Sequence, residues 1–369
     1  MSAVRVGDAT RRAFLGSLAA VPLAAASEKG QTLPADWKRY ADPATEFEVL
    51  RLTDPSYSSY LPAFYGRSLS RRGNFLLFAS DRSGALQAWR EDLKTGQSRQ
   101  LTDGEGLVAS SLTLLPDERT FCCFRGRALL QIAFANLRER EVYAVAEPFE
   151  ASGGFSVSGD GVHAVVAERR GNAGQLRLIN IARKEATTVV EADMPLHDPM
   201  PRPGRAGILY RREDGSLWLV NYDGQQNRKL RTPPGTIGVA EWSPDGRTIL
   251  YIHVSEDRRQ LNALRELTPD TNADQLLSYT SQFVHFGRNS DASVFVGASG
   301  SKASPYILLL LRVAKRELTV CEHRASDPLQ VSPIFHPSSQ RIFFESDRHG
   351  KPAIYSVTVE RFVEKTETE

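Results

Sequence analysis

The chain has 369 residues, 41% hydrophobic and 24% charged, values ordinary for a soluble globular protein of one large or two average domains. No apolar run reaches the roughly 18–20 residues of a membrane-spanning helix, and few stretches carry the period of a long amphipathic helix, which disfavours a helical bundle or coiled coil. Basic residues number 46 and acidic residues 44; the first 26 residues hold Arg5, Arg11, Arg12 and Asp8, and without them the charges balance, which argues against general nucleic-acid or membrane-surface binding.

The N-terminus reads as an export signal. Thr10-Arg11-Arg12-Ala13-Phe14-Leu15 is a twin-arginine pattern, a short apolar stretch runs from Phe14 to Ala26, and Ala24-Ala25-Ala26 offers a cleavage site before Ser27. Residues 1–26 are therefore expected to be removed, with the mature protein periplasmic or extracellular, and residues 27–39 to form a linker.

Residues 40–360 repeat. The clearest copy of the pattern is Glu241-Trp242-Ser243-Pro244-Asp245-Gly246-Arg247-Thr248-Ile249-Leu250-Tyr251, a Pro/Asp/Gly turn followed by an apolar strand. Pro and Asp open a tight turn and Gly takes the φ > 0 position. Equivalents of Gly246 fall at Gly73, Glu118, Gly161, Arg205, Ala292 and Ser339, spaced 41–47 residues apart. Such a period with about four strands per unit marks a β-propeller. The expectation is one all-β domain, a seven-bladed β-propeller of four-stranded blades. The last copy, ending at Ala353-Ile354-Tyr355-Ser356-Val357, is one strand short before the charged tail 361–369, and Glu46–Thr53 alternates like a strand outside the first repeat. It is expected to complete the last blade and remove the open edge.

Cys122, Cys123 and Cys321 give no disulfide framework and no CxxC site. Cys122 and Cys123, adjacent on a predicted strand, should point to opposite faces as buried thiols.

Ser346-Asp347-Arg348-His349-Gly350, repeated as Ser80-Asp81-Arg82-Ser83-Gly84, resembles the blade motif of TolB-type propellers. A narrower resemblance covers most of the mature chain. Tyr40-Ala41-Asp42-Pro43-Ala44-Thr45 with Arg51-Leu52-Thr53, the segment Phe283–Asp291 with its His-x-x-x-Asn-x-Asp pattern, and His349-Gly350-Lys351-Pro352-Ala353 are similar to oligogalacturonate lyases, pectin-degrading seven-bladed propellers. That resemblance implies a manganese-type ion on the central axis, held by three His and one Gln. It also implies β-elimination on an anionic oligosaccharide, an oligogalacturonate, in which cations neutralise the uronate carboxylate and a base removes the C5 proton. It makes His285 and Gln330 the candidate metal residues.

The chain departs from that pattern. Its final-blade run is Asp327-Pro328-Leu329-Gln330-Val331-Ser332-Pro333, where the family carries Gln-x-x-His-x-His-Pro, so only His285 remains as a matched imidazole. Val239 stands where the resemblance implies a catalytic His, and Arg211-Arg212-Glu213-Asp214-Gly215 replaces a longer insertion ahead of Trp218. Any divalent ion, manganese being the candidate, is expected to bind weakly or not at all, and the general base is not identified. His336, in a turn, reads as structural, and His163, His253 and His323 receive no role. His197, followed by Asp198, reads as a solvated residue of a Pro-rich loop. Arg71-Arg72, Arg169-Arg170, Arg211-Arg212 and Arg258-Arg259 read as solvated turn residues ahead of a cationic ring at the channel mouth. Tyr57, Tyr60 and Tyr65 fit core packing and sugar stacking equally.

No GxSxG, HExxH, P-loop or GxGxxG is present; Gly154-Phe155-Ser156 lacks the second Gly of a nucleophile elbow. Two readings remain: a divergent oligogalacturonate lyase with an altered metal site, or a non-catalytic propeller that binds a sugar or a protein partner in the cell envelope.

Overall fold

Strands with apolar residues at nearly every position need cover on both faces. Phe75–Ser80, Ile249–Val254 and Val294–Ser299 are of this kind, and all but Val254 are buried. The computed structural model describes residues 28–257 and 259–363. The expected export signal, Arg258 and residues 364–369 lie outside the described residues. Within them the chain forms seven antiparallel sheets of four or five strands, nearly without helix. Each sheet is one blade, and its strands run outward from the ring axis in chain order except at the outer edges of blades 1 and 7, which N-terminal strands complete. The innermost strands are Ser59–Tyr60, Thr113–Leu114, Glu150–Val157, Leu196–Pro201, Thr236–Trp242, Phe283–Arg288 and Ile334–Phe335 for blades 1 to 7.

The core is seven separate apolar layers, one between each pair of neighbouring blades. Cys122 and Cys123 show the geometry: Cys123 packs between blades 1 and 2, Cys122 between blades 2 and 3, as strand alternation requires. Cys321 is also buried, and all three thiols are free.

Glu48–Arg51 pairs with Ala353–Thr358, Val49 opposite Val357 and Arg51 opposite Tyr355, so the N-terminal segment completes blade 7 as expected. The contribution is larger than expected. Residues 27–39 are not a plain linker: Thr32–Leu33 adds an outer strand to blade 1, and Lys38–Ala41 adds a fifth strand to blade 7. Asp42, in the turn of this terminal hairpin and 1% exposed, accepts the Ala44, Thr45 and Glu322 amides, which fastens the turn to blade 6.

The repeated turns have a residue at φ between 54° and 75° at Gly73, Glu118, Gly161, Gly246, Ala292 and Ser339, each donating its N–H to the carbonyl three residues back. Blade 4 differs. Arg205 closes its turn onto the Arg202 carbonyl, but the positive φ of 68° belongs to Gly204. Arg202-Pro203-Gly204-Arg205 is thus a type II arrangement, with Pro second and Gly third, which moves the left-handed residue one place earlier. His336 spans the ring closure: its Nε2 meets the Gly73 carbonyl at 3.2 Å, linking blade 7 to blade 1 in the structural role expected.

The inner strand of blade 1 is interrupted. Tyr60 opposes Ala79 and Leu69 opposes Leu76, so residues 61–68 face only Leu77 and Phe78 and loop into the channel. Phe64 and Tyr65 cross it and pack against the layer between blades 4 and 5.

Two buried carboxyls give stability a pH dependence. Glu91 accepts the Trp37 indole N–H at 2.6 Å, and Glu345 accepts the Leu61 amide at 2.6 Å. Burial pushes each up to about 8. Between the usual carboxylate range and that value the folded state holds protons the unfolded chain has released, so stability falls as pH rises through this window. The denaturation midpoint is expected to be lower at about pH 8 than at about pH 5, and Glu91→Gln should flatten the slope; an unchanged slope in that variant would refute the assignment.

Candidate active site

Inner strands begin at one mouth of the channel, here the upper mouth. His197 is the second residue of Leu196–Pro201 in blade 4. It is not a solvated loop residue: its register partner is Arg211, and its Nε2 lies 2.5 Å from Glu213 Oε2. The short connection Arg212–Leu217 returns Glu213 over the start of this strand, which is how that segment of sequence builds a His–Glu pair.

Asp198 follows in the left-handed region at φ 48° and offsets the strand pairing between His197 and Met200. The offset turns its carboxylate to Arg211 Nε at 3.4 Å. Arg211 is fixed further by the blade 5 carbonyls of Ile237, at 2.7 Å, and Gly238. Burial raises the Asp198 carboxyl while Arg211 and His197 pull it down. Arg212 lies over the Trp218 ring, 3.5 Å from its centroid, in a cation–π contact.

Gly153 and Gly154, at φ 88° and 115°, shape the neighbouring wall in blade 3. A Cβ on Gly153 would come within 3.1 Å of His197 Nδ1, and one on Gly154 within 2.2 Å of the Tyr65 hydroxyl. Consecutive glycines within a strand mark close approach of other groups, and here the His197 imidazole approaches Gly153 and the Tyr65 phenol approaches Gly154. Burial and the nearby Asp198 raise the Tyr65 hydroxyl, so it stays protonated. Tyr65 is thus neither plain core nor an open stacking platform.

His285 lies on the inner strand of blade 6, 4% exposed. Its ring meets Phe64 edge-on at 5.6 Å, its Nε2 faces the Ser332 hydroxyl at 3.3 Å, and its buried Nδ1 has no partner. Burial pulls its pKa to about 4, which leaves a neutral imidazole. That state suits a metal ligand, and the unpartnered Nδ1 is the kind of atom a metal would satisfy. The rest of the donor set does not fit. Gln330 sits exposed on the 3-10 turn Pro328–Gln330, Asp327 caps that turn through the Leu329 amide, and Asp291 accepts from Ser293. Among the described residues no three His, Cys, Asp or Glu side chains converge on one point. One imidazole and one hydroxyl are not a set that holds a manganese-type ion firmly. Val239 packs into the apolar layer between blades 5 and 6.

The other histidines are structural: His253 bonds the Pro234 carbonyl, His323 the Ser299 carbonyl, and His163 packs edge-on to Tyr222. Arg170 covers the Phe149 ring, Arg169 bonds the Gly171 carbonyl, Arg259 pairs with Asp257, and Arg71 and Arg72 are exposed; Arg211 and Arg212 stand beside Asp198 and Trp218.

A family model described as oligogalacturonate lyase matches residues 27–363. The oligogalacturonide lyase of Pectobacterium atrosepticum is 25% identical and the oligogalacturonate lyase of Dickeya dadantii 26% identical; each alignment covers 90% of this chain and 98% of the relative. An oligogalacturonate lyase solved in complex with manganese superposes with a TM-score of 0.85 at 25% identity, covering 90% of this chain and 98% of that one. The match thus runs through all seven blades, and the chain belongs to the oligogalacturonate lyase family.

Proposed function

We propose that the protein cleaves pectin-derived oligogalacturonates by β-elimination at the upper mouth, with catalytic groups supplied by blade 4 and the Phe64–Tyr65 loop. The observation that carries this reading is the convergence of His197–Glu213, Asp198–Arg211 and Tyr65 where the inner strands begin. Elimination needs three things: positive charge near the uronate carboxylate, a base at C5, and a proton for the departing O4. Arg211, clamped by two carbonyls, and Arg212, spread over Trp218, supply the field that favours the anionic sugar. His197, held by Glu213, removes the C5 proton. The electron pair forms the C4–C5 double bond as the C4–O4 bond breaks, and the Tyr65 hydroxyl donates a proton to the leaving oxygen. The twin-arginine pattern at Arg11-Arg12 supports action outside the cytoplasm; Arg11→Lys with Arg12→Lys should retain the protein in the cytoplasmic fraction, and normal export of that variant would rule this out.

The activity test is the ultraviolet absorbance of the unsaturated product from di- and trigalacturonate. His197→Ala should lower kcat by about 10²–10⁴-fold, the range for loss of one general base, and a variant as active as the wild type would refute the assignment. No product from any uronate, together with sugar binding, favours a propeller that binds without turnover.

The manganese complex of the relative supports a divalent ion in the family. For this chain the reading is an altered site at which the His285 imidazole alone holds such an ion loosely, exchanging with buffer. Metal analysis of the purified mature protein after dialysis should find far less than one ion per chain. Stoichiometric, chelator-resistant manganese would overturn this.

A further inference from the structure

The inner strands end at the opposite mouth, below the Phe64–Tyr65 crossing. A cavity of about 250 Å³ opens there, walled by Phe64, Leu69, Phe286, Ile334 and Phe335 and carrying Arg67, Glu241 and Arg288. Nothing in the proposed elimination uses these three charged groups. Glu241 is the penultimate residue of the blade 5 inner strand, and Arg288 is the last residue of the blade 6 inner strand.

Their hydrogen bonding is incomplete in a complementary way. Glu241 Oε2 lies 3.7 Å from Arg288 Nε, while Glu241 Oε1 is buried and has no partner. Arg288 spends Nε on the Trp242 carbonyl and Nη1 on the Asn289 carbonyl. Arg67, half-buried, lies 3.7 Å from Glu118, and its guanidinium makes no hydrogen bond among the described residues. Burial pushes the Glu241 carboxyl up to about 7, and Arg288 pulls the other way. A buried, unpaired carboxylate oxygen costs free energy, and native structures keep few of them without a reason. Aromatic and aliphatic walls strengthen any charge-assisted bond formed here. The volume is below the roughly 300–1,000 Å³ of pockets for drug-sized ligands, which suits one small molecule better than an oligosaccharide.

We propose that this lower cavity binds a small carboxylate bearing a hydroxyl or ammonium donor beside its carboxyl group, the carboxylate against Arg67 and Arg288 and the donor on Glu241 Oε1. A sugar acid and an amino acid share that chemistry. The site is distinct from the upper mouth and does not depend on the elimination proposed there.

The test is calorimetric titration of the mature protein with galacturonate monomer and, separately, with L-leucine. One of the two is expected to saturate at one molecule per chain. Glu241→Gln and Arg67→Met should each weaken it at least tenfold, with unchanged circular dichroism. His197→Ala, which alters only the upper mouth, should leave this affinity within twofold. Absence of binding by both probes would overturn the proposal, as would affinity unchanged in both cavity variants or lost in His197→Ala. Should Glu241→Gln fail to fold, Arg67→Met decides by the same criterion.

Discussion

Every blade of this molecule is a sheet with two apolar faces, and no blade can be stable without a neighbour on each side. The ring must therefore close. Closure rests on the pairing of Glu48–Arg51 with Ala353–Thr358 and on the layer that brings Leu52, Leu61, Phe78 and Trp89 against Phe343 and Ile354. Without it, blades 1 and 7 would each expose an apolar face and an unpaired edge. The Asp42 turn extends the closure to blade 6 through the Glu322 amide. A hydrogen bond to a charged group contributes about 1.5–3 kcal/mol, a sizeable part of the about 5–15 kcal/mol that separates most folded domains from the unfolded chain.

A closed ring leaves an axial channel lined by inner strands, and the chemistry of the protein depends on what fills it. Here blade 1 gives up continuous pairing so that residues 61–68 can enter. Phe64 reaches the blade 6 imidazole and Tyr65 reaches the blade 3 glycines. That crossing divides the channel. Above it, His197, Asp198 and Arg211 sit where inner strands begin; below it, Glu241 and Arg288 sit where two of them end. The division also explains the state of His285: packed against Phe64 and cut off from water, it cannot carry charge near neutral pH, which leaves positive charge at the upper mouth to the guanidiniums.

The ring was legible in the sequence because its cause is local. A turn with a left-handed residue recurs with every blade, and even Glu118, Ala292 and Ser339 reveal themselves by position alone. Blade 4 kept the spacing while moving the left-handed residue to Gly204, a change visible in Pro203-Gly204 once turn type is considered. The outer strands Thr32–Leu33 and Lys38–Ala41 escaped because edge strands this short and exposed carry no apolar alternation. The candidate site was less legible. His197 looked like a loop residue because Pro195, Pro199 and Pro201 surround it, yet an inner strand pairs on one side only and tolerates proline at its open edge. Its signal was the adjacent pair Gly153-Gly154, which makes room for it from another blade. Glu241 was hidden inside the repeat motif itself.

Position 239 shows why the pattern of substitutions in the channel is coherent. Its half-buried side chain packs against the apolar layer that holds blades 5 and 6 together. An imidazole there would set a polar ring against an apolar layer. His285 already leaves one buried nitrogen unpaired at this end of the channel; a second would add to the same cost. Blade 5 instead faces the site with backbone, the Ile237 and Gly238 carbonyls that hold Arg211. The mouth is thus organised by a carbonyl-bound guanidinium and a His–Glu pair, with Phe64 and Tyr65 crossing the axis beneath them.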